Sequence, residues 1–271
     1  MDNINSNNKV FYGKQFIDDV VDTIKTKDIL QSFYRTRYIL RATMSGFILG
    51  LITVFVLMIR ASLDGQIAGG LINLIASICF SFALVLILFT NSELLTSNFM
   101  YFTVGLYYRI TNPIRVMKIF TLCFLGNFLG GFIFFVLFYL SDVMTPEMLT
   151  QLDNIIAHKT LTAGFTAILV KGIFANFFIN ISLVIAMQIK DILAKMFVLM
   201  FGVSIFAFMA YEHVVYNTVL FTGGLLYQSE ELSTIPVMIN IIASCIGNYI
   251  GGGVIIGLFY AYLNSNSDYK F

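Results

Sequence analysis

Six long apolar stretches dominate this chain of 271 residues. A helix needs about 20 mostly apolar residues to cross a bilayer, and each stretch is long enough to do so. Charged residues make up only 11% of the chain, against about 25% in soluble domains. The stretches cover residues 37–60, 72–108, 116–140, 160–189, 193–226 and 235–262. The sequence therefore predicts an all-α membrane protein with six transmembrane helices.

The second and fifth stretches are too long for one straight helix, and each contains a short polar segment. Residues 92–98 interrupt the second stretch, and residues 212–217 interrupt the fifth. Glu93 in the first segment and Glu212 in the second are 119 positions apart. Interrupted helices at corresponding positions of two halves indicate a transport site near the centre of the membrane. We therefore expect spans two and five to be broken, and the protein to carry a small solute.

A second pair of motifs has almost the same spacing. Residues 126–131 read GNFLGG and residues 247–252 read GNYIGG, 121 positions later. With three spans in each half, the second half would enter the membrane from the opposite side, which predicts an inverted 3+3 repeat. The glycines allow close packing of helices. We expect Asn127 and Asn248 to hydrogen-bond the backbone that is freed at the two breaks.

The distribution of charge predicts the orientation. Basic residues favour cytoplasmic loops, and they are concentrated before span one, between spans two and three, and between spans four and five. The pattern places both termini in the cytoplasm and the chain in the cytoplasmic membrane. We expect residues 1–34 to form a cytoplasmic segment with an amphipathic helix over 11–30, residues 35–263 to form the channel domain, and residues 264–271 to form a cytoplasmic tail.

Several functional classes are not indicated by the sequence. The net charge is +1 and there is no basic tract, so no binding of nucleic acid is expected. Cys79, Cys123 and Cys245 lie inside apolar stretches without paired spacing, which is typical of buried thiols. No catalytic triad, metal-ligand or phosphate-loop spacing is present. We expect neither an enzyme nor a bound metal or cofactor.

Four ionisable residues fall inside the predicted spans: Glu93, Lys171, Glu212 and His213. A charge there costs at least about 2.5–3.5 kcal/mol, so it should face an aqueous cavity or a partner. The two glutamates either line a pore or accept bonds from backbone N–H groups at the breaks. Lys171 either attracts anions or pairs elsewhere, and His213 lies at a helix break, where pore lining is favoured.

Four motifs in order resemble those of the formate/nitrite transporter family. They are NSELLTSN at residues 91–98, KGIFANF at 171–177, FAFMAYEH at 206–213 and GNYIGG at 247–252. The resemblance extends over about residues 35–263. It implies an aquaporin-like fold, a homopentamer in the lipid bilayer with one pore per subunit, and passage of small monovalent anions or their acids. The solutes of this family include formate, nitrite, hydrosulfide and short monocarboxylates such as acetate and lactate.

The resemblance also assigns roles to the polar residues at the centre of the pore. His213 would be the central histidine of the family, Thr96 would bond this histidine or the solute, and Asn217 follows shortly after it. Asn176 lies in the second motif and is a further candidate. Phe177 after it stands where the family usually has tryptophan.

The resemblance places Phe80, Leu84 and Phe206 together in a hydrophobic constriction on the cytoplasmic side. Lys159 matches a family lysine near the outer start of span four, whereas Lys171 and Arg41 match no family position. We expect Lys159 outside and Arg41 inside to draw an anion into the pore, with Lys171 as a weaker candidate.

Desolvation at the constriction raises the pKa of a weak acid, so the anion could take up a proton and cross as the neutral acid. The proton could come from His213 or from bulk water, and simple anion conduction past a charged His213 is also open. Three rivals are a lactate or acetate transporter coupled to protons, a water or glycerol pore, and a scaffold that transports nothing. The water or glycerol pore is disfavoured because no paired Asn-Pro-Ala turns occur at the breaks.

Overall fold

The computed structural model describes residues 14–265, with side chains from residue 17 onward, and every regular element in this part of the chain is helical. The helices are α1 (Lys14–Phe33), α2 (Arg35–Leu63), α3 (Gly69–Phe89), α4 (Leu95–Tyr107), α5 (Pro113–Leu140), α6 (Pro146–Thr160), α7 (Phe165–Gln188), α8 (Ile192–Phe208), α9 (Val214–Leu226) and α10 (Thr234–Asn248), which continues through a π-helical segment (Tyr249–Leu258) into α11 (Phe259–Leu263).

Five helical segments in the described part are long and apolar enough to cross a membrane. They are Arg35–Leu63, Gly69–Phe89, Pro113–Leu140, Phe165–Gln188 and Thr234–Leu263. The fifth predicted span is divided into two shorter apolar helices, α8 and α9. The second predicted span is divided in the same way, into α3 and α4. Both divisions fall at the polar segments.

The two breaks have the same backbone conformation. Asn91 and Ala210, 119 positions apart, both have a φ of 51°. After α3, the Ser92 N–H donates to the Ile87 carbonyl at 3.0 Å, and the same bond at the same length follows α8. A residue in the left-handed region followed by this bond is a Schellman motif, which ends a helix by satisfying its last carbonyl groups. Each break is therefore a defined helix end and not a bend within one helix.

Glycines allow two pairs of helices to pack with their backbones almost in contact. A Cβ atom on Gly130 of α5 would lie 1.8 Å from the Thr43 carbonyl oxygen of α2. A Cβ atom on Gly251 would lie 2.1 Å from the Ile173 carbonyl oxygen of α7. No side chain fits at either site, because real Cβ contacts are longer than 3 Å. The close approach brings Asn127 and Asn248, in the same motifs, against the breaks.

Helix α1 lies against the rest of the chain through its apolar face. Ile17, Val20, Val21 and Ile24 are completely or almost completely buried. The predicted helix over residues 11–30 ends three residues later than expected, at Phe33, and its residues 11–13 lie outside the described part. Residues 266–271 of the predicted tail also lie outside it.

Candidate functional site: a passage between two cavities

Two cavities and a small chamber follow one another through the interior. The Lys159 cavity, of about 280 Å³, contains Lys159 in its wall. The Arg41 cavity, of about 440 Å³, contains Arg41. Between them lies the central chamber, of about 20 Å³. Because a single water needs about 10–15 Å³, the chamber has room for about one water and closes the passage to a hydrated ion.

The central chamber is apolar apart from one side chain. Its lining consists of Leu49, Phe80, Ala83, Leu84, Ile87, Leu94, Ile179, Val203, Phe206 and His213. Among these described residues, His213 alone has a polar side chain. Leu94 precedes α4 as His213 precedes α9, and the two residues are 119 positions apart. Corresponding positions of the two breaks therefore meet at the chamber, and one of them carries the imidazole.

His213 is held by a hydrogen bond on each ring nitrogen. Its Nδ1 accepts from the Tyr216 backbone N–H at 3.0 Å and so caps the start of α9. Its Nε2 lies 2.8 Å from the Thr96 Oγ1, which is the hydrogen bond that the family resemblance implies. Because Nδ1 accepts, the proton of the neutral ring is on Nε2, and Nε2 donates to Thr96. Placing a second proton on Nδ1 would break the cap.

Asn127 and Asn248 bond the backbone of the two breaks, as predicted from the sequence. The Asn127 Oδ1 accepts from the Leu95 N–H at 3.1 Å, and its Nδ2 donates to the Glu93 carbonyl at 2.8 Å. The Asn248 Oδ1 accepts from the Val214 N–H at 2.8 Å, and its Nδ2 donates to the Glu212 carbonyl at 2.8 Å. Each side chain also donates to a carbonyl of a neighbouring helix. The prediction is confirmed.

Glu93 and Glu212 are buried and bind side chains rather than the freed backbone N–H groups. The Glu212 carboxylate accepts from the Lys159 Nζ at 2.8 Å and from the Asn217 Nδ2 at 2.6 Å. Glu93 pairs with Lys27 of α1 and accepts from Asn98. Both carboxylates therefore have a lysine and an asparagine as partners. Burying such a charge is tolerable only because it is paired and hydrogen-bonded.

Lys27 is the partner that sequence reasoning missed. It lies on α1, outside every predicted span, and its ammonium group also lies 5.4 Å from the centre of the Tyr101 ring. It lines the Arg41 cavity together with Glu93. No signal in the sequence identifies it, because its pairing depends on how α1 packs against the spans.

The structure brings the three residues of the predicted hydrophobic constriction to the central chamber. Phe80 and Phe206 line both the Lys159 cavity and the central chamber, and their rings pack edge to face with centroids 6.0 Å apart. Leu84 instead lines the central chamber and the Arg41 cavity, as Ile87 and Leu94 do. The three predicted residues therefore line one chamber, with Phe80 and Phe206 towards the Lys159 cavity and Leu84 towards the Arg41 cavity. Their assignment to the cytoplasmic side stays a prediction.

The remaining candidates fall into two groups. Arg41 lines its cavity, and its carbonyl oxygen accepts from the Glu93 N–H at 3.1 Å. Asn176 and Asn217 are fully buried and line none of the three spaces; Asn176 donates to the Thr96 carbonyl at 3.1 Å. Lys171 is half-buried on α7 and also lies outside all three. The structure thus brings Arg41 to the passage and places Lys171 away from it.

A membrane-protein fold with two helix breaks meeting at an interior passage defines the class. A family model described as formate/nitrite transporter matches residues 14–262. The chain therefore belongs to the formate/nitrite transporter family, whose members are channels and transporters, not enzymes.

Individual relatives and structures agree with this family. The chain is 29% identical over 201 residues to a formate-nitrite transporter of Plasmodium knowlesi. The matched residues cover 70% of this chain and 64% of the relative. The chain spans slightly less than two thirds, 64%, of the length of these Plasmodium relatives. It is 26% identical to the formate channel FocA of Escherichia coli K12, over 90% of both chains.

Two solved structures share the fold. One, described as an FNT family ion channel, superposes with a TM-score of 0.82 at 21% identity, covering 91% of this chain and 98% of the other. The second is described as a pentameric formate channel with formate bound, with a TM-score of 0.70 at 19% identity, covering 84% and 96%. Because the sequence identities are this low, the two superpositions show a shared fold and nothing more.

Proposed function

We propose that the chain conducts a small monovalent anion or its conjugate acid across the cytoplasmic membrane, with formate, nitrite and hydrosulfide as candidate solutes. The central chamber carries this proposal. It places one hydrogen-bonding side chain, His213, in an apolar constriction between two cavities that contain basic residues. The similarity to the relative named as a formate channel also supports formate as a solute.

The size of the chamber favours crossing as the neutral acid. A bare anion that loses its water in an apolar space pays a large electrostatic penalty, and the chamber has room for about one water. A solute that takes up a proton in either cavity avoids this cost. The neutral His213 ring then donates from Nε2 to the crossing solute, in exchange for its bond to Thr96. Water supplies the proton in this scheme, because a second proton on the ring would break the cap of α9.

We also propose the architecture that the sequence predicts: six spans in an inverted 3+3 repeat, aquaporin-like, over residues 35–263. The matched helix ends and the matched asparagine bonds at the two breaks support the repeat. Residues 1–34 and 264–271 would lie in the cytoplasm. The neighbour described as pentameric supports a homopentamer with one passage per subunit.

Flux into liposomes that contain the purified protein tests the function. We expect formate, nitrite and hydrosulfide to enter faster than into protein-free liposomes, and faster at lower pH. His213→Asn is the informative variant, since asparagine can still cap α9 but loses the Nε2 donor. Loss of one hydrogen bond in the chamber should lower formate flux by about fivefold.

Other outcomes separate the rival functions. Lactate flux above formate flux would favour a proton-coupled transporter of larger monocarboxylates. Glycerol or water flux without anion flux would favour a neutral pore. Flux of every solute at the level of protein-free liposomes would support a scaffold and reject transport.

A further inference from the structure

The two cavities differ in the charge that is free to act on a solute. Among the described residues that line the Lys159 cavity, two are cationic, Lys159 and Arg60, and none is acidic. The Lys159 ammonium group is bonded to the Glu212 carboxylate at 2.8 Å. Its charge is therefore largely compensated by a carboxylate directly behind the wall. Arg60 supplies the uncompensated positive charge of this cavity.

The Arg41 cavity has no such excess. Its described lining contains two cationic residues, Lys27 and Arg41, and two acidic residues, Asp22 and Glu93. Lys27 and Glu93 form an ion pair, and the charges of Arg41 and Asp22 balance each other in number. An anion is therefore attracted more strongly to the Lys159 cavity, where the field of Arg60 is unopposed by any lining carboxylate.

The Arg60 guanidinium group is held in place but has most of its donors free. Its Nη2 donates to the Asn73 Oδ1 at 2.7 Å, and the Asn73 Nδ2 donates to the Phe208 carbonyl at 3.0 Å. Asn73 thereby ties Arg60 to the end of α8, beside the second break. The nearby Asp64 carboxylate accepts from Gln151 rather than from Arg60. Of five N–H donors, Arg60 uses one on a described residue, and its Nε lies buried without a partner.

We propose that Arg60 is the anion-binding residue of the Lys159 cavity, and that it selects planar anions with two oxygens on one atom. Guanidinium groups bind such anions with two parallel hydrogen bonds, which a lysine cannot do. Formate and nitrite have this shape, whereas hydrosulfide offers a single sulfur. Arg60 would hold the anion directly before Phe80 and Phe206, which line the same cavity. This inference deepens the proposed function and rests on it.

The test compares half-saturating concentrations for flux of formate, nitrite and hydrosulfide into liposomes. Arg60→Gln should raise the value for formate and nitrite about tenfold, through loss of a charge-assisted pair of bonds. The value for hydrosulfide should rise less. Arg60→Lys should restore the half-saturating concentration of hydrosulfide to the wild-type value. The half-saturating concentrations of formate and nitrite should stay raised, because lysine restores the charge without the two parallel N–H donors of a guanidinium group.

Lys171→Gln is the matched control, since it removes one positive charge from a half-buried residue outside both cavities. It should leave all three values unchanged. Wild-type values for formate in Arg60→Gln would overturn the role of Arg60, and full rescue of formate by Arg60→Lys would overturn the selection by shape. An equal shift in Lys171→Gln would show a general effect of charge and also overturn the proposal. Failure of the wild-type protein to carry any anion would instead reject the proposed function itself.

Discussion

The buried pair of Lys159 and Glu212 gives the sharpest stability prediction. The two groups are 2.8 Å apart, and their side chains are 7% and 0% exposed. Removing one partner of a buried pair leaves the other charge uncompensated and costs about 3–5 kcal/mol. The stability loss of Lys159→Met should lie near the lower end of this range, since Glu212 keeps the hydrogen bond from Asn217 at 2.6 Å. Glu212→Gln should cost more, because the buried ammonium group then faces only a neutral amide and the Tyr216 ring, 5.5 Å away, and no opposite charge.

The double variant Lys159→Met with Glu212→Gln should be only about 1–2 kcal/mol less stable than the wild type, because no buried charge is left alone. The free energy of unfolding, measured by denaturant titration in mixed micelles, would show a coupling of at least about 4 kcal/mol, the two single losses minus the loss of the double variant. Lys171→Met serves as control and should cost below about 0.5 kcal/mol. If the double variant lost as much free energy of unfolding as the two single variants together, Lys159 and Glu212 would not stabilise each other as a charge pair. Formate flux through a stable double variant then tells whether Lys159 attracts the solute at all; if Arg60 has that role, flux should persist.

Three further variants test the packing and the passage. Asn248→Ala removes three buried hydrogen bonds at the second break and should lower the free energy of unfolding by about 3 kcal/mol, while the exposed Asn154→Ala changes it little in the same titration. Gly130→Ala should lower the free energy of unfolding by about 3 kcal/mol, because the new Cβ would overlap a carbonyl oxygen of α2. Gly70→Ala is its control, since a Cβ there meets no atom within 4 Å. Equal free energies of unfolding for the two variants would contradict the close packing. Phe80→Ala should open the constriction on the Lys159 side and raise lactate flux relative to formate flux in liposomes; an unchanged ratio would count against this constriction as the size filter.

The positions of the two breaks, and the asparagines that hydrogen-bond their backbone, were predictable from the sequence. Repetition at a spacing of 119 to 121 residues pointed to Glu93 with Glu212 and to Asn127 with Asn248. A polar segment inside a long apolar stretch must end a helix, because freed backbone groups need partners away from water. The asparagines in the glycine motifs were the residues able to supply them.

Side-chain partners between distant elements were not predictable in the same way. Lys27 pairs with Glu93 only because α1 docks on the chain through its apolar face. Phe80 and Leu84 are one helical turn apart and both line the chamber, but Phe80 also lines the Lys159 cavity and Leu84 also lines the Arg41 cavity. Arg60 lies at the end of the first predicted span, where nothing in the sequence marks it as a pore residue, and its position in the cavity follows from the bond to Asn73. Each of these depends on packing across the molecule, which local spacing does not encode.

The most direct test of the central chamber is to fill it. Val203 on α8 lines the chamber, is 2% exposed and makes no polar contact through its side chain. Val203→Phe adds a ring to a space of about 20 Å³, and size-exclusion chromatography would show whether the variant stays assembled. Formate flux into liposomes should then fall to the level of protein-free liposomes. Wild-type flux through an assembled Val203→Phe variant would show that the solute crosses elsewhere.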